Sequence, residues 1–415
     1  MPVSVQHHAL SKGRELTTLL VLCAVQFTHI LDFMIMMPLG AQLMRVFAIS
    51  PAEFTRLVAA YGLAAAISGF TGGFFLDRFE RKRALLVLYA GFGLATLACG
   101  LAPTHHTLLA ARLAAGAFGG LAGSLVTAMV GDIIPPARRG RAMSYVMTAF
   151  PLASVLGVPA GLMLAGRYGW HAPFFLLAGC ATANVLLAAF ALPHLATAVK
   201  GHQPLRQMRE ILAHGVHRRA FAVGAVLVMS GGVIIPFLAP SFVANVGLDE
   251  TSQLPLAYAV GGIATAFSTP FIGWLSDRMD RLRLLAIMSA GAVVVVLFIT
   301  RLGPSSVLTA SLMMALFMVT MSGRFAPAMT MITNAVEARY RGGFMSVNAA
   351  LQQAASGGAS LLAGLFVTRD ATGHLVGLPL LGYVSAGFFG LTVLLSFALR
   401  AAAPHVVKPA PRDAH

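Results

Sequence analysis

Charged residues are scarce: they make up 10% of this 415-residue chain, against about 25% in a soluble domain. A soluble protein of this length has chain for two or three cored domains, but so little charge cannot cover their surfaces. Cysteine is scarcer still. Cys23, Cys99 and Cys180 lie inside apolar segments at unrelated spacings, which excludes a disulfide framework or a cysteine metal site and predicts buried free thiols. No Gly-rich phosphate cradle and no nucleophile motif is present. The expectation is therefore a protein that is no enzyme and holds no cofactor or metal. Nor does the first apolar run carry a small-residue cleavage site, so it reads as a retained span.

What the chain has in abundance is apolar sequence, 58% of residues. Long runs fall near 16–39, 54–76, 84–102, 107–134, 142–166, 172–195, 220–242, 255–275, 284–300, 306–334, 343–367 and 379–401. Each is long enough, or nearly so, to cross a bilayer core of about 30 Å as helix. The net charge of +15, taken in bulk, would suggest nucleic acid; its placement argues for topology instead. With the N-terminus in the cytoplasm, 22 Lys and Arg fall on the cytoplasmic side and five on the outer side (Arg45, Arg56, Arg167, Arg301, Arg369). Only Arg112 and Arg324 remain inside helices. That asymmetry is the positive-inside pattern, with both termini cytoplasmic. The fold class expected is an all-α membrane protein of twelve transmembrane helices in two pseudo-symmetric six-helix bundles. Residues 1–195 and 220–403 form the halves, 196–219 a central cytoplasmic loop, and 404–415 a disordered tail. The partners expected are a lipid bilayer and a small-molecule substrate, with no nucleic acid and a monomeric state.

The chain also repeats itself. Gly73, Asp77, Arg78, Glu80, Arg81 and Arg83 recur as Gly273, Asp277, Arg278, Asp280, Arg281 and Arg283, at an offset of 200. Arg139-Gly140 and Met143-Ser144 recur as Arg341-Gly342 and Met345-Ser346, at an offset of 202. Two matches in one order indicate parallel halves. These motifs resemble the major facilitator superfamily over essentially the whole chain, with Glu80 where that family usually has Gly. Arg112 and Gly116 in helix 4 are similar to the R-x-x-x-G motif of its drug/proton antiporter branch. Gly157, Pro159 and Gly161 in helix 5 are similar to the exporter motif, with Pro displaced one residue from the usual Gly-Pro. The form is similar to arabinose- and purine-efflux-like permeases.

Two clusters then become candidates. Asp77 can accept from backbone N–H groups at a helix start, which the resemblance makes that of helix 11, while Arg78 and Arg81 can pair with Asp132. With Gly73 and the second copy (Gly273, Asp277, Arg278, Arg281), this forms a candidate cytoplasmic latch of the outward-open state; plain topogenic charge is the alternative. Asp132 has Asn334 as its repeat equivalent, so the second copy lacks one charge. Asp32 is the one acid deep inside a span, where a carboxylate costs about 2.5–3.5 kcal/mol on insertion scales. With His29 one turn earlier and Arg112 at matching depth, it is the candidate proton-coupling group; a static ion pair is the alternative. Gln26, Arg324, Asn348 and Gln352 are candidate cavity residues. The 20 methionines offer adaptable apolar surface. The function expected is proton-coupled efflux of a small organic compound across the bacterial inner membrane, the coupling ion being H+. Proton-symport import is the alternative within the same fold, and a non-transporting sensor or enzyme the alternative outside it.

Overall fold

Helices begin where the sequence supplies caps. Ser50 and Glu53 form a capping box ahead of Pro51, Thr104 and Thr107 form another, and Glu80 accepts from the backbone N–H groups of Lys82 and Arg83. Asp280, the repeat equivalent of Glu80, accepts from Arg283 N in the same manner. An acid at that position therefore satisfies the orphan donors of the next helix start.

A computed structural model of the chain describes residues 12–135, 138–193, 204–337 and 339–407. The first half contains α1 (Lys12–Ile35), α2 (Gly40–Val46), α3 (Pro51–Phe75), α4 (Arg81–Gly100), α5 (His105–Ile133), α6 (Arg139–Met147), α7 (Ala149–Leu152), α8 (Val158–Tyr168) and α9 (Ala172–Ala191). Helix α10 (Pro204–Ala213) lies between the halves. The second half contains α11 (Gly215–Gly232), α12 (Ile235–Ala244), α13 (Gln253–Ser276), α14 (Arg281–Ile299), α15 (Val307–Gly323), α16 (Phe325–Asn334), α17 (Arg341–Phe366) and α18 (Leu378–Ala402). A two-residue hairpin pairs β1 (Thr368–Arg369) with β2 (Leu375–Val376).

Among the described residues, eleven helical stretches are long and apolar enough to cross a membrane. The twelfth span is α17, 26 residues long, whose Asn348, Gln352 and Gln353 dilute its hydropathy. It packs lengthwise on α3 and α11, so protein covers its polar face, as polar backbone and side chains in a bilayer require.

Three spans are interrupted. In the fifth, α7 passes through a π turn at Ala153–Gly157 into α8, because Pro159 has no N–H for the Val155 carbonyl. Cβ atoms at Gly157 and Gly161 would approach Leu31 and Ile35 of α1 to 2.7 and 2.6 Å, so these glycines permit close contact with the first span. The seventh span breaks between α11 and α12, ahead of Pro236, and the tenth breaks at Arg324, ahead of Pro327.

Several boundaries differ from the sequence reading. The seventh span starts at Gly215, inside the expected loop, and α10 adds a helix there. Pro404–Val407 forms a 3-10 turn in which the buried Val406 carbonyl accepts from Arg281 Nη1 at 3.2 Å. The tail is thus anchored to 407; residues 194–203 and 408–415 lie outside the described residues. Cys99 is buried, yet Cys23 is partly exposed and Cys180 exposed. The α9 helix turns an outer face away from the protein, where a small apolar thiol fits lipid as well as a core.

The packing is asymmetric between the two ends of the bundle. One end carries the arginine-rich turns at 78–83, 138–141 and 278–283; the largest apolar cluster lies toward the other. It combines both halves, with Ile35, Met44 and Phe54 against Phe237, Phe242 and Leu254. Toward the basic end, two further clusters each belong to one half, residues 19–192 and 211–406 respectively. There α6 packs on α1 and α5 of its own half, and α16 on α11 and α14 of its own. Apolar packing therefore joins the halves mainly toward the end opposite the basic turns, while among the described residues the core clusters toward the basic end each stay within one half, where α3 and α17 remain in contact.

Candidate functional site

Asp32 of α1 and Arg112 of α5 come together, both with fully buried side chains. Arg112 Nη1 donates to Asp32 Oδ2 at 2.7 Å and to the Asp32 carbonyl at 3.3 Å, and Thr96 Oγ1 donates to Oδ1 at 3.3 Å. The guanidinium carbon lies 4.5 Å from the centroid of Tyr61. A Cβ at Gly116 would run into the Tyr61 carbonyl. The Arg-x-x-x-Gly spacing therefore has a steric meaning: glycine lets α5 press on α3, and one turn away Arg112 covers the ring.

His29 Nδ1 is 3.2 Å from the Tyr61 hydroxyl, beside Gln26, whose Oε1 has no hydrogen-bond partner. Arg112 Nε and Nη2 are likewise buried without a hydrogen-bond partner among the described residues. Asp32, His29, Arg112 and Gln26, with Tyr61, thus form one polar seam along α1, α3 and α5, incompletely satisfied. Buried polar groups in proteins are mostly hydrogen-bonded, so this seam is a candidate site. Sequence reasoning missed Thr96 and Tyr61; the signal available was a tyrosine hydroxyl deep in an apolar run, which needs a partner when buried.

The second half holds Arg324, Asn348 and Gln352 apart from that seam. Arg324, 1% exposed, donates from Nη1 to Ser230 Oγ at 2.8 Å and from Nη2 to Met321 Sδ at 3.2 Å, with its guanidinium carbon 4.2 Å from the Phe389 centroid. Asn348 Oδ1 is buried without a partner, and Gln352 Nε2 donates to Met329 Sδ at 3.5 Å. Both side chains face Gly224 of α11.

The candidate latch is only partly assembled. Arg81 Nε donates to Asp132 Oδ2 at 3.1 Å, whereas Arg78 is exposed and makes no bond to Asp132 among the described residues. In the second copy Arg278 lies over Trp274 at 3.8 Å, Asp277 is exposed, and Arg281 bonds Val406. A Cβ at Gly273 would meet open space, so this glycine serves no close packing here. The side chains of Gly73 and Asp77 lie outside the described residues. The Asn334 carbonyl accepts from His405 at 2.9 Å, a tie between α16 and the C-terminal turn.

A feature the sequence did not announce joins the halves at the opposite end. Arg45, in the last turn of α2, forms a two-pronged pair with Glu250, ahead of α13, with both N···O distances 2.6 Å. Next to it Asp249 caps the chain, and hydrogen bonds from Thr251 and Ser252 pull its carboxyl down to about 2. The side chains of Arg45 and Glu250 are 53% and 21% exposed, so the pair contributes at most about 1 kcal/mol. That still changes a two-state ratio about fivefold. Glu250→Gln is expected to lower the closed population by up to that factor. Spin labels at Val46 and Leu256, with double electron–electron resonance, would read the change; an unaltered distance distribution would deny the pair any role in closure.

Comparison with known proteins accords with this geometry. The model of the Major Facilitator Superfamily matches residues 22–360 and 221–413. The chain is 27% identical over 193 residues to multidrug resistance protein 2 of Bacillus subtilis, covering 46% of this chain and 48% of that one. It is 26% identical over 298 residues to a gallate transporter of Pseudomonas putida, covering 62% and 65%. The chain thus spans less than two thirds of each of these relatives. The solved structure of a bacterial homologue of the human lysosomal transporter Spinster, inward-facing and occupied, is 17% identical; it covers 97% of this chain and 100% of its own, with a TM-score of 0.78. Its likeness shows the twelve-helix fold. By motif, helix count and family match together, the chain is a multi-pass membrane transporter belonging to the Major Facilitator Superfamily.

Proposed function

We propose that this transporter exports a small organic compound in exchange for protons, as a monomer in the bacterial inner membrane with both termini cytoplasmic. The observation that carries the reading is the fully buried Asp32–Arg112 pair at 2.7 Å, with two guanidinium nitrogens left unpartnered beside it. A carboxylate can alternate between an ion-paired, charged form and a protonated, neutral form, and each form suits a different packing of the halves. One proton on Asp32 breaks the charge match with Arg112 and frees its donors, which couples proton occupancy to the seam of α1, α3 and α5. A proton needs only the one carboxylate, whereas sodium asks for several oxygen ligands.

The direction rests on the helix-5 residues and on the resemblance to exporters, one relative being named for multidrug resistance. Symport import is the second reading, favoured by the displacement of Pro159 from the exporter spacing and by the gallate transporter among the relatives. Proteoliposomes with an imposed pH gradient and an internal pH dye separate the two. Proton flux opposite to substrate movement supports export by antiport; flux in the same direction replaces it with symport; substrate movement without proton flux removes coupling.

The latch belongs to the same cycle. With the basic end cytoplasmic, the core clusters described there stay within their own halves, and the latch would close that side in the outward-open state. Asp77→Asn should then slow transport while leaving membrane insertion intact. Normal transport by that variant would return the arginine-rich turns to topology alone.

A further inference from the structure

The two arginines inside the membrane are treated differently. Arg112 is matched by Asp32, whereas Arg324 touches only neutral groups among the described residues: Ser230, Met321 and the Phe389 ring. No acid of its own half can serve it. Glu250 is paired with Arg45, Asp249 and Asp370 cap their own loops, Asp280 caps α14, and Glu337 pairs with Arg339. Asp277 is exposed at the basic end, and Asp413 stands far along the C-terminal tail. A guanidinium stays protonated at any accessible pH, so its buried charge calls for a counter-charge from elsewhere.

Arg324 is the junction where α15 ends and α16 begins. Opposite it, Gly231 of the broken seventh span lies against the guanidinium, and a Cβ there would be 4.0 Å from Arg324 Nη2. Interrupted helices meeting at mid-membrane are where transporters place ligands. Among the described residues Arg324 Nε has no hydrogen-bond partner, and Nη2 is held only by a thioether, a weak acceptor. These two nitrogens form the edge of the fork that a carboxylate takes bidentately. The Phe389 ring and Met321 supply apolar contact beside it.

Resting on the reading of this chain as a transporter, we infer that its substrate is an organic monocarboxylate, whose anionic group completes Arg324 between α11, α15 and α18. Ser230 fixes the guanidinium and thereby the orientation of the bound carboxylate. The inference is independent of transport direction and of coupling at Asp32.

The test uses full-length protein purified in detergent, without any gradient, and follows thermal unfolding with four carboxylates (benzoate, 4-hydroxybenzoate, phenylacetate and hexanoate) and their amides. At least one carboxylate is expected to stabilise the wild type at millimolar concentration while its amide does not. Arg324→Gln should weaken that binding at least about tenfold, and Arg324→Lys should restore part of it, since Lys keeps the charge but not the fork. Indifference to all four carboxylates, equal stabilisation by an amide, or unchanged binding in Arg324→Gln would each overturn the inference. So would equal protection by chloride, which would make this an inorganic-ion site. Asp32→Asn serves as the control that separates the two proposals: carboxylate binding retained without proton-driven transport leaves the Arg324 site intact and places the coupling at Asp32.

Discussion

Asp32→Asn should abolish proton-driven accumulation while leaving exchange of substrate down its own gradient. The asparagine amide keeps the size of the carboxylate: its oxygen can still accept from Arg112 Nη1, which holds Asp32 Oδ2 at 2.7 Å, and its NH2 can donate to the Thr96 hydroxyl, which lies 3.3 Å from Oδ1. What it cannot do is bind and release a proton. The variant should therefore insert and fold, and its substrate movement should no longer respond to an imposed pH gradient. Proteoliposome counterflow, measured with and without the gradient, separates the two quantities. Full proton-driven transport in Asp32→Asn would reduce the buried pair to a static packing element.

A second large effect is expected at the other partner. Arg112→Met removes the cation and leaves the Asp32 carboxylate in a fully buried place. Breaking a buried pair from one side typically costs about 3–5 kcal/mol, whereas replacing both partners is often close to neutral. Arg112→Met should thus be strongly destabilised in detergent unfolding, and the double variant Asp32→Asn/Arg112→Met should recover most of the loss without recovering coupling. The methionine keeps the contact with the Tyr61 ring through its thioether, so lost packing is a small part of the change. Equal stability of the single and double variants would mean that Asp32 is already neutral in the resting protein. That outcome would move the proton-loading step, since the seam would then be loaded before the halves rearrange.

The coupling and the closure of the outer end are mechanically adjacent. Leu31 and Ile35 flank Asp32 on α1 and meet Gly157 of the π turn and Gly161 of α8, and that π turn lies against Gly262 of α13 in the other half. A change of charge at Asp32 therefore acts on a helix that touches the interface between the halves within one turn. The Arg45–Glu250 pair closes the same interface nearer the membrane surface.

Much of this was readable in the residues themselves. Hydropathy and the arginine-rich turns determine the spans and the likeness of the halves, because lipid allows few ways to satisfy a backbone and the repeat records one fold used twice. Depth along a helix, at 1.5 Å per residue, already places Asp32 and Arg112 at one level. The eleventh span is legible as the apolar run at 343–367, but that its polar stripe is covered by α3 and α11 rather than by lipid is decided by the packing. Tertiary structure alone decides which polar atoms meet and which do not. It couples Tyr61 to His29 and Arg112, ties Arg45 to Glu250 across 205 positions of chain, and leaves Arg324 with neutral neighbours. Periodicity and composition describe each helix separately, while the rotation of one helix against another, set by glycine contacts and proline breaks, determines where a buried charge finds its partner.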